Sequence, residues 1–156
     1  MSEEQKTKVA GLELILDMWK EDCKIDKMRL DETSRTSPLL HAKYLHMLAN
    51  AKLRLKENEV SQKSLLKNKW LYYSGKMDQE QLKLLGWDPD PFNGLKILKG
   101  DMDHYYNSDE DIQKTELRIE YLKTSVGCLS EILDNIKWRH QNIKNIIEWR
   151  KFESGS

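Results

Sequence analysis

A heptad pattern in the last third of the chain constrains the fold more than any other feature. Steps of three and four residues alternate over eleven positions, and nine of these are aliphatic. The positions are Ile112, Thr115, Ile119, Leu122, Val126, Leu129, Leu133, Ile136, His140, Ile143 and Ile147. A repeat of about 3.5 residues is the pattern of a coiled-coil seam, in which one helix packs along another. The sequence therefore predicts a long C-terminal helix over residues 109–152, with Ser108 as its N-cap.

A second long helix, predicted over residues 38–76, can cover this seam within the same chain. Ser37 and Pro38 look like a helix start, because serine caps N-termini and proline is tolerated in the first turn. A shorter helix is predicted over residues 9–25, after a disordered polar tail at residues 1–8. We therefore expect one all-α domain over residues 1–156, built from long antiparallel helices in a helical-hairpin or coiled-coil-like arrangement.

Charge is distributed unevenly along a chain whose formal net charge is zero. Residues 38–76 carry eight bases and two acids, a net of +6. Residues 77–111 carry nine acids and three bases, a net of −6. We interpret residues 77–108 as an acidic loop region, with a short helix between Asp78 and Gly86. A balance of this kind argues against general polyanion binding, but it leaves one local basic face that suits a nucleic acid.

The basic helix ends in a run of lysines and aromatic residues, K-S-L-L-K-N-K-W-L-Y-Y-S-G, at residues 63–75. Lysines can meet phosphates, and aromatic rings can stack on the bases of a single strand whatever its sequence. The candidate DNA contacts are Lys63, Lys67, Lys69, Tyr72, Tyr73 and Lys76. At about 100° per residue, Lys67 and Lys69 lie about 200° apart. One strand can contact both only if it wraps the helix end or if neighbouring subunits complete the site.

The end of the C-terminal helix carries more apolar side chains than one partner helix can cover. Trp138, Trp149 and Phe152 lie off the heptad line. We interpret this end as an oligomer contact, and the alternative is that the first helix covers it. The candidate contacts are Ile136, His140, Ile143, Ile146, Ile147, Trp149 and Phe152.

Catalytic, cofactor and membrane signals are missing from the sequence. There is no glycine-rich phosphate loop, no pair of histidines at metal-ligand spacing and no nucleophile–base arrangement. The two cysteines, Cys23 and Cys128, fit no metal or redox motif. No stretch is apolar enough to span a membrane. We expect a cytoplasmic protein that is not an enzyme and that needs neither a metal nor a cofactor.

Two blocks of residues resemble the UvsY recombination mediators of T-even-type phages. The first is Lys67–Gly75, which looks like the basic segment and Y-Y-S-G motif of that family. The second is L-D-N-I-K-W-R at residues 133–139, followed by the ending F-E-S-G at residues 152–155. A weaker likeness covers residues 12–25. The resemblance extends over roughly residues 11–156, with little similarity between the two blocks.

The resemblance implies a helical protein that forms a ring of roughly six or seven subunits through its C-terminal region. It implies that the protein binds and wraps single-stranded DNA. It also implies that the protein loads a RecA-like recombinase onto strands covered by single-strand-binding protein, in phage recombination, repair and recombination-dependent replication. The two basic residues that the motif implies for DNA binding correspond to Lys67 and Lys69. The family typically has arginine at the position of Lys69, so bidentate phosphate contact is lost here.

A second interpretation from the residues stays open. The chain could be a helical coiled-coil adaptor or scaffold whose lysines are merely solvated and which does not bind nucleic acid. This interpretation explains the heptads and the acidic segment, but it assigns no function to the Y-Y-S-G motif at the end of the helix.

Overall fold

The computed structural model describes residues 3–155, with side chains from residue 11 onward, and these residues form helices without a strand. The elements are α1 (Glu3–Asp22), α2 (Leu30–Tyr73), α3 (Gln79–Leu85), a 3₁₀ turn (Lys99–Asp101), α4 (Met102–Asn107) and α5 (Glu110–Glu153). The prediction of an all-α fold built from long helices is confirmed. Helices α2 and α5 each contain 44 residues, long enough to carry both a packed face and a solvent-exposed face.

The first two helices begin earlier than the sequence pattern predicts. Helix α1 starts at Glu3, within the segment predicted to be a disordered tail, of which residues 1 and 2 lie outside the described residues. Helix α2 starts at Leu30 rather than at Pro38, so part of the predicted connection is helical. Asp31 and Glu32 occupy its first turn, where carboxylates complement the positive end of the helix dipole.

Pro38 therefore lies inside α2 and not at its start. The hydroxyl groups nearby bond to backbone carbonyls one turn earlier. Thr33 Oγ1 donates to the Arg29 carbonyl at 2.9 Å, and Ser37 Oγ donates to the Thr33 carbonyl at 2.9 Å. Ser37 thus bonds backward into an existing helix instead of capping a new one. Ser37 and Pro38, which the sequence pattern predicts as a helix start, therefore lie within a helix that continues through them.

The chain divides into two compact units. The first unit combines Met1–Arg54 with Tyr121–Ser156. Its core contains Tyr44 and Leu48 of α2 packed with four aliphatic residues of α5, and Ile15 and Trp19 of α1 lie against it. The four are Leu129, Ile132, Leu133 and Ile136. The Trp19 ring meets the Tyr44 ring edge to face, with 5.6 Å between centroids.

Arg139 joins α5 to the end of α1 in this unit. Its guanidinium donates to the carbonyls of Cys23 at 3.0 Å and Lys24 at 2.8 Å. These carbonyls follow the last turn of α1, where a helix leaves acceptors without intrahelical partners. Gly11 of α1 lies beside the Tyr121 hydroxyl of α5. Because both chain positions increase together along these contacts, α1 runs parallel to α5.

The second unit, Leu55–Glu120, contains the end of α2, α3, the loop that follows it, α4 and the start of α5. Helix α3 begins and ends where the sequence predicts. The Asp78 carboxylate accepts the Gln81 amide at 2.7 Å as an N-cap, and Gly86 ends the helix in the left-handed region at φ 67°. Among the described residues, no helix is both long and apolar enough to cross a membrane.

The heptad line of α5 is only partly buried. Ile112 and Ile119 are buried in the second unit, and Leu129, Leu133, Ile136 and Ile143 are buried in the first. His140 is exposed, although the pattern places it in the seam. The reason is that Arg139, one residue earlier, turns toward α1. The buried face in the first unit therefore centres on the line from Leu129 to Ile143, and His140 lies beyond its edge.

Candidate nucleic-acid interface

The glycine of the Y-Y-S-G motif ends α2. Gly75 has a φ of 69°, in the left-handed region that a side chain disfavours. Its amide donates to the Tyr72 carbonyl at 3.2 Å, and the Lys76 amide donates to the Leu71 carbonyl at 2.9 Å. These two bonds form a Schellman motif, which satisfies the last carbonyls of the helix. The motif thus fixes where α2 stops and where Lys76 leaves it.

Lys69 lies in the interior of the second unit. Its side chain is 5% exposed, and its Nζ lies 2.9 Å from Asp109 and 2.8 Å from Asp111. The same ammonium lies 4.1 Å from the centre of the Trp87 ring, a favourable contact between a cation and an aromatic face. Two carboxylates and a ring therefore already surround its charge.

The two tyrosines of the motif are also tied into the unit. The Tyr73 hydroxyl donates to the Asp109 carboxylate at 2.7 Å, and the Tyr72 hydroxyl donates to the Asp88 carbonyl at 2.7 Å. The Tyr72 ring packs 5.1 Å from the Trp87 ring. The Tyr73 ring packs 6.0 Å from the Phe92 ring. These contacts anchor the acidic loop region to the end of α2.

Asp109 joins α2 to α5, and its pKa reflects these bonds. Its Oδ1 accepts the amides of Asp111 at 2.9 Å and Ile112 at 3.1 Å, so it is the N-cap of α5. The sequence assigned this role to Ser108, which instead follows the last turn of α4. Burial alone would raise the pKa of the Asp109 carboxyl. Hydrogen bonds from Lys69, Tyr73 and the Ile112 amide outweigh burial and hold that pKa below its ordinary value.

The same network shifts the pKa of Lys69 and of Tyr73 upward. Burial would lower the pKa of Lys69, but its bonds to Asp111 and Asp109 raise it above 10.5. Burial, followed by the bond to Asp109, raises the pKa of Tyr73. At neutral pH Lys69 and Asp109 are therefore charged and Tyr73 is neutral.

The opposite side of α2 presents an exposed face that we name the basic stripe, made of Lys56, Lys63, Lys67 and Trp70. All four side chains are exposed. Their spacing of three, four and seven residues keeps them within about 60° of one another around the helix. Past the helix end, the Lys76 ammonium lies 4.6 Å from the centre of the Trp70 ring. The stripe therefore ends in an exposed indole with a cation beside it.

The structure does not bring the six predicted DNA contacts together on one surface. Lys63, Lys67 and Lys76 are exposed, Lys69 and Tyr72 are buried, and Tyr73 is half-buried. Lys67 and Lys69 point in different directions, as their spacing predicts. Trp70 was not among the candidates, but it is an aromatic residue of the same segment and is 44% exposed. Its position on the helix, three residues after Lys67, is the signal that could have identified it.

The predicted oligomer contacts divide in a similar way. Ile136 and Ile143 are buried within the subunit, at 5% and 4% exposure. Ile146 is half-buried, and His140 and Ile147 are exposed. Trp149 and Phe152 are 61% and 75% exposed, and their rings lie 5.6 Å apart. The free apolar surface at this end of α5 therefore centres on Trp149 and Phe152.

Among the described residues, no group of three or more histidine, cysteine, aspartate or glutamate side chains is placed to hold a metal ion. The carboxylates of Asp109 and Asp111 are instead engaged with Lys69. The arrangement is suited to binding by charge and by an exposed ring.

Comparisons with known proteins point in one direction. The family described as recombination, repair and ssDNA binding protein UvsY matches residues 18–156. The recombination protein uvsY of Enterobacteria phage T4 is 28% identical over 144 residues, which is 92% of this chain and 98% of that protein. Two crystal structures of the bacteriophage T4 recombination mediator protein UvsY, in lattice types II and IV, each match with a TM-score of 0.73. They are 26% and 25% identical to this chain, cover 91% of it, and are themselves covered to 96% and 98%.

Proposed function

Because this chain belongs to the UvsY family of recombination, repair and single-stranded-DNA-binding proteins, we propose that it is a recombination mediator. In this role it binds and wraps single-stranded DNA. It then promotes loading of a RecA-like recombinase onto strands covered by single-strand-binding protein. The role is non-enzymatic and belongs to the host cytoplasm, where phage DNA is recombined, repaired and replicated.

The observation that carries the proposal is that the two sides of the end of α2 have different surroundings. One side is locked into the protein through Lys69, Tyr72 and Tyr73. The other side is the basic stripe, whose charged groups face solvent. A helix held on one side fixes where the lysines of its other side project, which reduces the ordering cost when they bind the phosphates of a strand. We therefore assign direct DNA contact to Lys63, Lys67, Lys76 and Trp70, and a positioning role to Lys69, Tyr72 and Tyr73.

Oligomerisation through the end of α5 fits this role. Exposed aromatic rings at Trp149 and Phe152 offer an apolar contact to a second copy, with Ile146 and Ile147 beside them. A ring of roughly six or seven subunits would repeat the basic stripe around its circumference. Each stripe would then add a modest contact to a strand that is already bound elsewhere, which raises the overall affinity through effective concentration.

A salt titration of DNA binding tests the proposal. Fluorescence anisotropy with a labelled oligothymidine should show binding that weakens as salt rises, because each phosphate contact releases counterions. The double variant Lys63→Ala with Lys67→Ala should bind more weakly and reduce the log–log salt slope by about 1.4, since each contact contributes about 0.7 on single strands. The matched control is Lys20→Ala with Lys123→Ala, which removes two exposed lysines of the first unit.

Two outcomes of this titration count against the proposal. Absence of binding even at low salt would favour the adaptor interpretation instead. Equal losses in both double variants would remove the assignment to the basic stripe.

The mediator step has its own assay, which follows the lag before a RecA-like recombinase from the same genome hydrolyses ATP on a strand covered by single-strand-binding protein. The protein should shorten that lag, and an unchanged lag would leave a DNA-binding protein without a loading activity.

A further inference from the structure

A cavity of about 350 Å³ opens in the second unit beside the end of the basic stripe. Its lining includes the aromatic rings of Trp70, Tyr73 and Phe92 together with Met102. Lys76 and Lys99 line it as well, and none of its lining residues carries a carboxylate. The volume falls within the range of about 300–1,000 Å³ in which small-molecule sites lie. Apolar walls with positive charge and no negative charge suit a flat, uncharged group attached to an anion.

The inner wall of the cavity is held in place before anything binds. The Tyr73 hydroxyl is fixed by Asp109, and the Phe92 ring packs edge to face on Tyr105 with 5.1 Å between centroids. The loop that carries Phe92 is folded around Asp90, whose carboxylate accepts the amides of Phe92 at 3.2 Å and Gly94 at 2.5 Å. A wall fixed in this way costs little conformational entropy when a ligand arrives.

The outer wall is Trp70, which has a cation above its ring. The Lys76 ammonium lies 4.6 Å from the indole centre, a distance at which it is attracted to the ring face. A phosphate that pairs with Lys76 can draw this ammonium away from the ring. The indole face then becomes available for a base, so that one nucleotide satisfies both groups together.

We propose that this cavity binds one unstacked base of single-stranded DNA, which stacks on Trp70 while Lys76 and Lys99 pair with the phosphates on either side. The basic stripe leads along α2 to Trp70, so a strand that follows the stripe reaches the cavity. An apolar side chain of a partner protein would fill the walls but would leave the two lysines without a counter-charge. A base in a duplex is already stacked and cannot enter, so the cavity also provides a preference for single strands.

This inference rests on the proposed function, and its experiment separates the two. The probes are an oligothymidine and an abasic oligonucleotide of the same length, which has the same number of phosphates but no bases. Anisotropy titrations at one salt concentration give the affinity ratio between them. The wild-type protein should prefer the probe with bases. Trp70→Leu should lose about 5- to 150-fold in affinity for it, which corresponds to one stacked base, and should bind the abasic probe as the wild type does.

The conservative variant Trp70→Phe keeps a ring and should retain much of the preference for bases. Lys99→Gln should weaken binding of both probes, whereas Lys96→Gln, an exposed lysine of the same segment outside the cavity lining, should not. Thermal unfolding followed by circular dichroism confirms that each variant is folded.

Tight binding of both probes by the wild type, with no effect of Trp70→Leu, would overturn the base site and leave the proposed function standing. A loss in Trp70→Leu that is equal for the two probes would also overturn the base site. If neither probe binds the wild-type protein at low salt, both the proposed function and the base site fail.

Discussion

Lys69 Nζ lies 2.9 Å from Asp109 Oδ2, and the Tyr73 hydroxyl donates to the same oxygen at 2.7 Å. The other oxygen of Asp109 caps the first turn of α5. A single carboxylate therefore joins the end of one long helix to the start of the other. Tyr73 bonds Asp109, while Lys69, one turn earlier, bonds both Asp109 and Asp111, so the two helices run in opposite directions at this point.

The first prediction separates Lys69 from Lys67. Lys69→Ala leaves a buried carboxylate without its cation, and it should lower the free energy of unfolding by about 3–5 kcal/mol. Lys67→Ala removes an exposed lysine and should change the free energy of unfolding by less than about 0.5 kcal/mol, while it weakens DNA binding. Urea unfolding and anisotropy on both variants measure the two effects. Full stability of Lys69→Ala, together with a loss of DNA affinity, would instead make Lys69 a contact residue.

The second prediction concerns pH. The pKa of Asp109 is lowered below 3.8 on folding, so its contribution to stability is present above that value and disappears as the pH falls through the folded pKa. The pKa of Lys69 is raised above 10.5, so its contribution is complete below that value and disappears as the pH rises through the folded pKa. The network is therefore fully stabilising at neutral pH.

Asp109→Asn should accordingly lower stability at neutral pH and flatten its decline in acid. Urea unfolding at several pH values between about 3 and 7 measures this slope. The control is Asp134→Asn, because Asp134 forms an exposed ion pair with Lys137 and such pairs contribute little. Parallel pH curves for the wild type and Asp109→Asn would show that acid sensitivity arises elsewhere.

A third prediction uses two helical glycines. A Cβ added at Gly127 of α5 meets nothing within 4 Å, so Gly127→Ala should raise the free energy of unfolding by about 0.5–1 kcal/mol. A Cβ added at Gly11 of α1 would lie 3.0 Å from the Tyr121 hydroxyl, and Gly11→Ala should therefore gain less or lose stability. Denaturant unfolding of the two variants side by side measures the difference. An equal gain in both would mean that the Tyr121 contact imposes no constraint.

The fourth prediction concerns assembly. Trp149→Ala with Phe152→Ala removes two exposed rings and should reduce the number of subunits measured by light scattering, with little effect on the fold of the subunit. Ile136→Ala should instead affect the stability of the subunit and not its assembly, because Ile136 lies in the core of the first unit. Its truncation should cost about 2–5 kcal/mol of stability and leave the subunit number unchanged. Unchanged size in the double aromatic variant would place the interface elsewhere.

These point substitutions test the interface better than deletion of residues 135–156. The sequence suggests that such a deletion yields monomers. However, it would also remove Arg139, which bonds the end of α1, and Ile143, which is buried within the subunit. Loss of assembly would then be inseparable from loss of the first unit.

Local signals in the sequence predicted the parts of the fold that depend on neighbours along the chain. The heptads predicted α5, Asp78 and Gly86 bounded α3, and Gly75 ended α2. The start of α2 was predicted wrongly at Pro38, because a proline inside a helix and one at its start can have the same local sequence. The burial of Lys69 was not predictable in this way, since its partners lie in another helix. Asp109 and Asp111 stand at the predicted start of α5, but nothing local indicates which lysine they pair with.

The division of the chain into two units also sets the order in which these units can be completed during synthesis. The second unit is one continuous stretch, Leu55–Glu120, whereas the first combines Met1–Arg54 with Tyr121–Ser156. The ribosome must therefore finish every residue of the second unit before the segment that completes the first core emerges. Tyr44 and Leu48 remain without their α5 partners during this interval, which lasts several seconds at about 5–20 residues per second. The segment that bears the basic stripe is thus made while the N-terminal part of the protein still awaits the last helix.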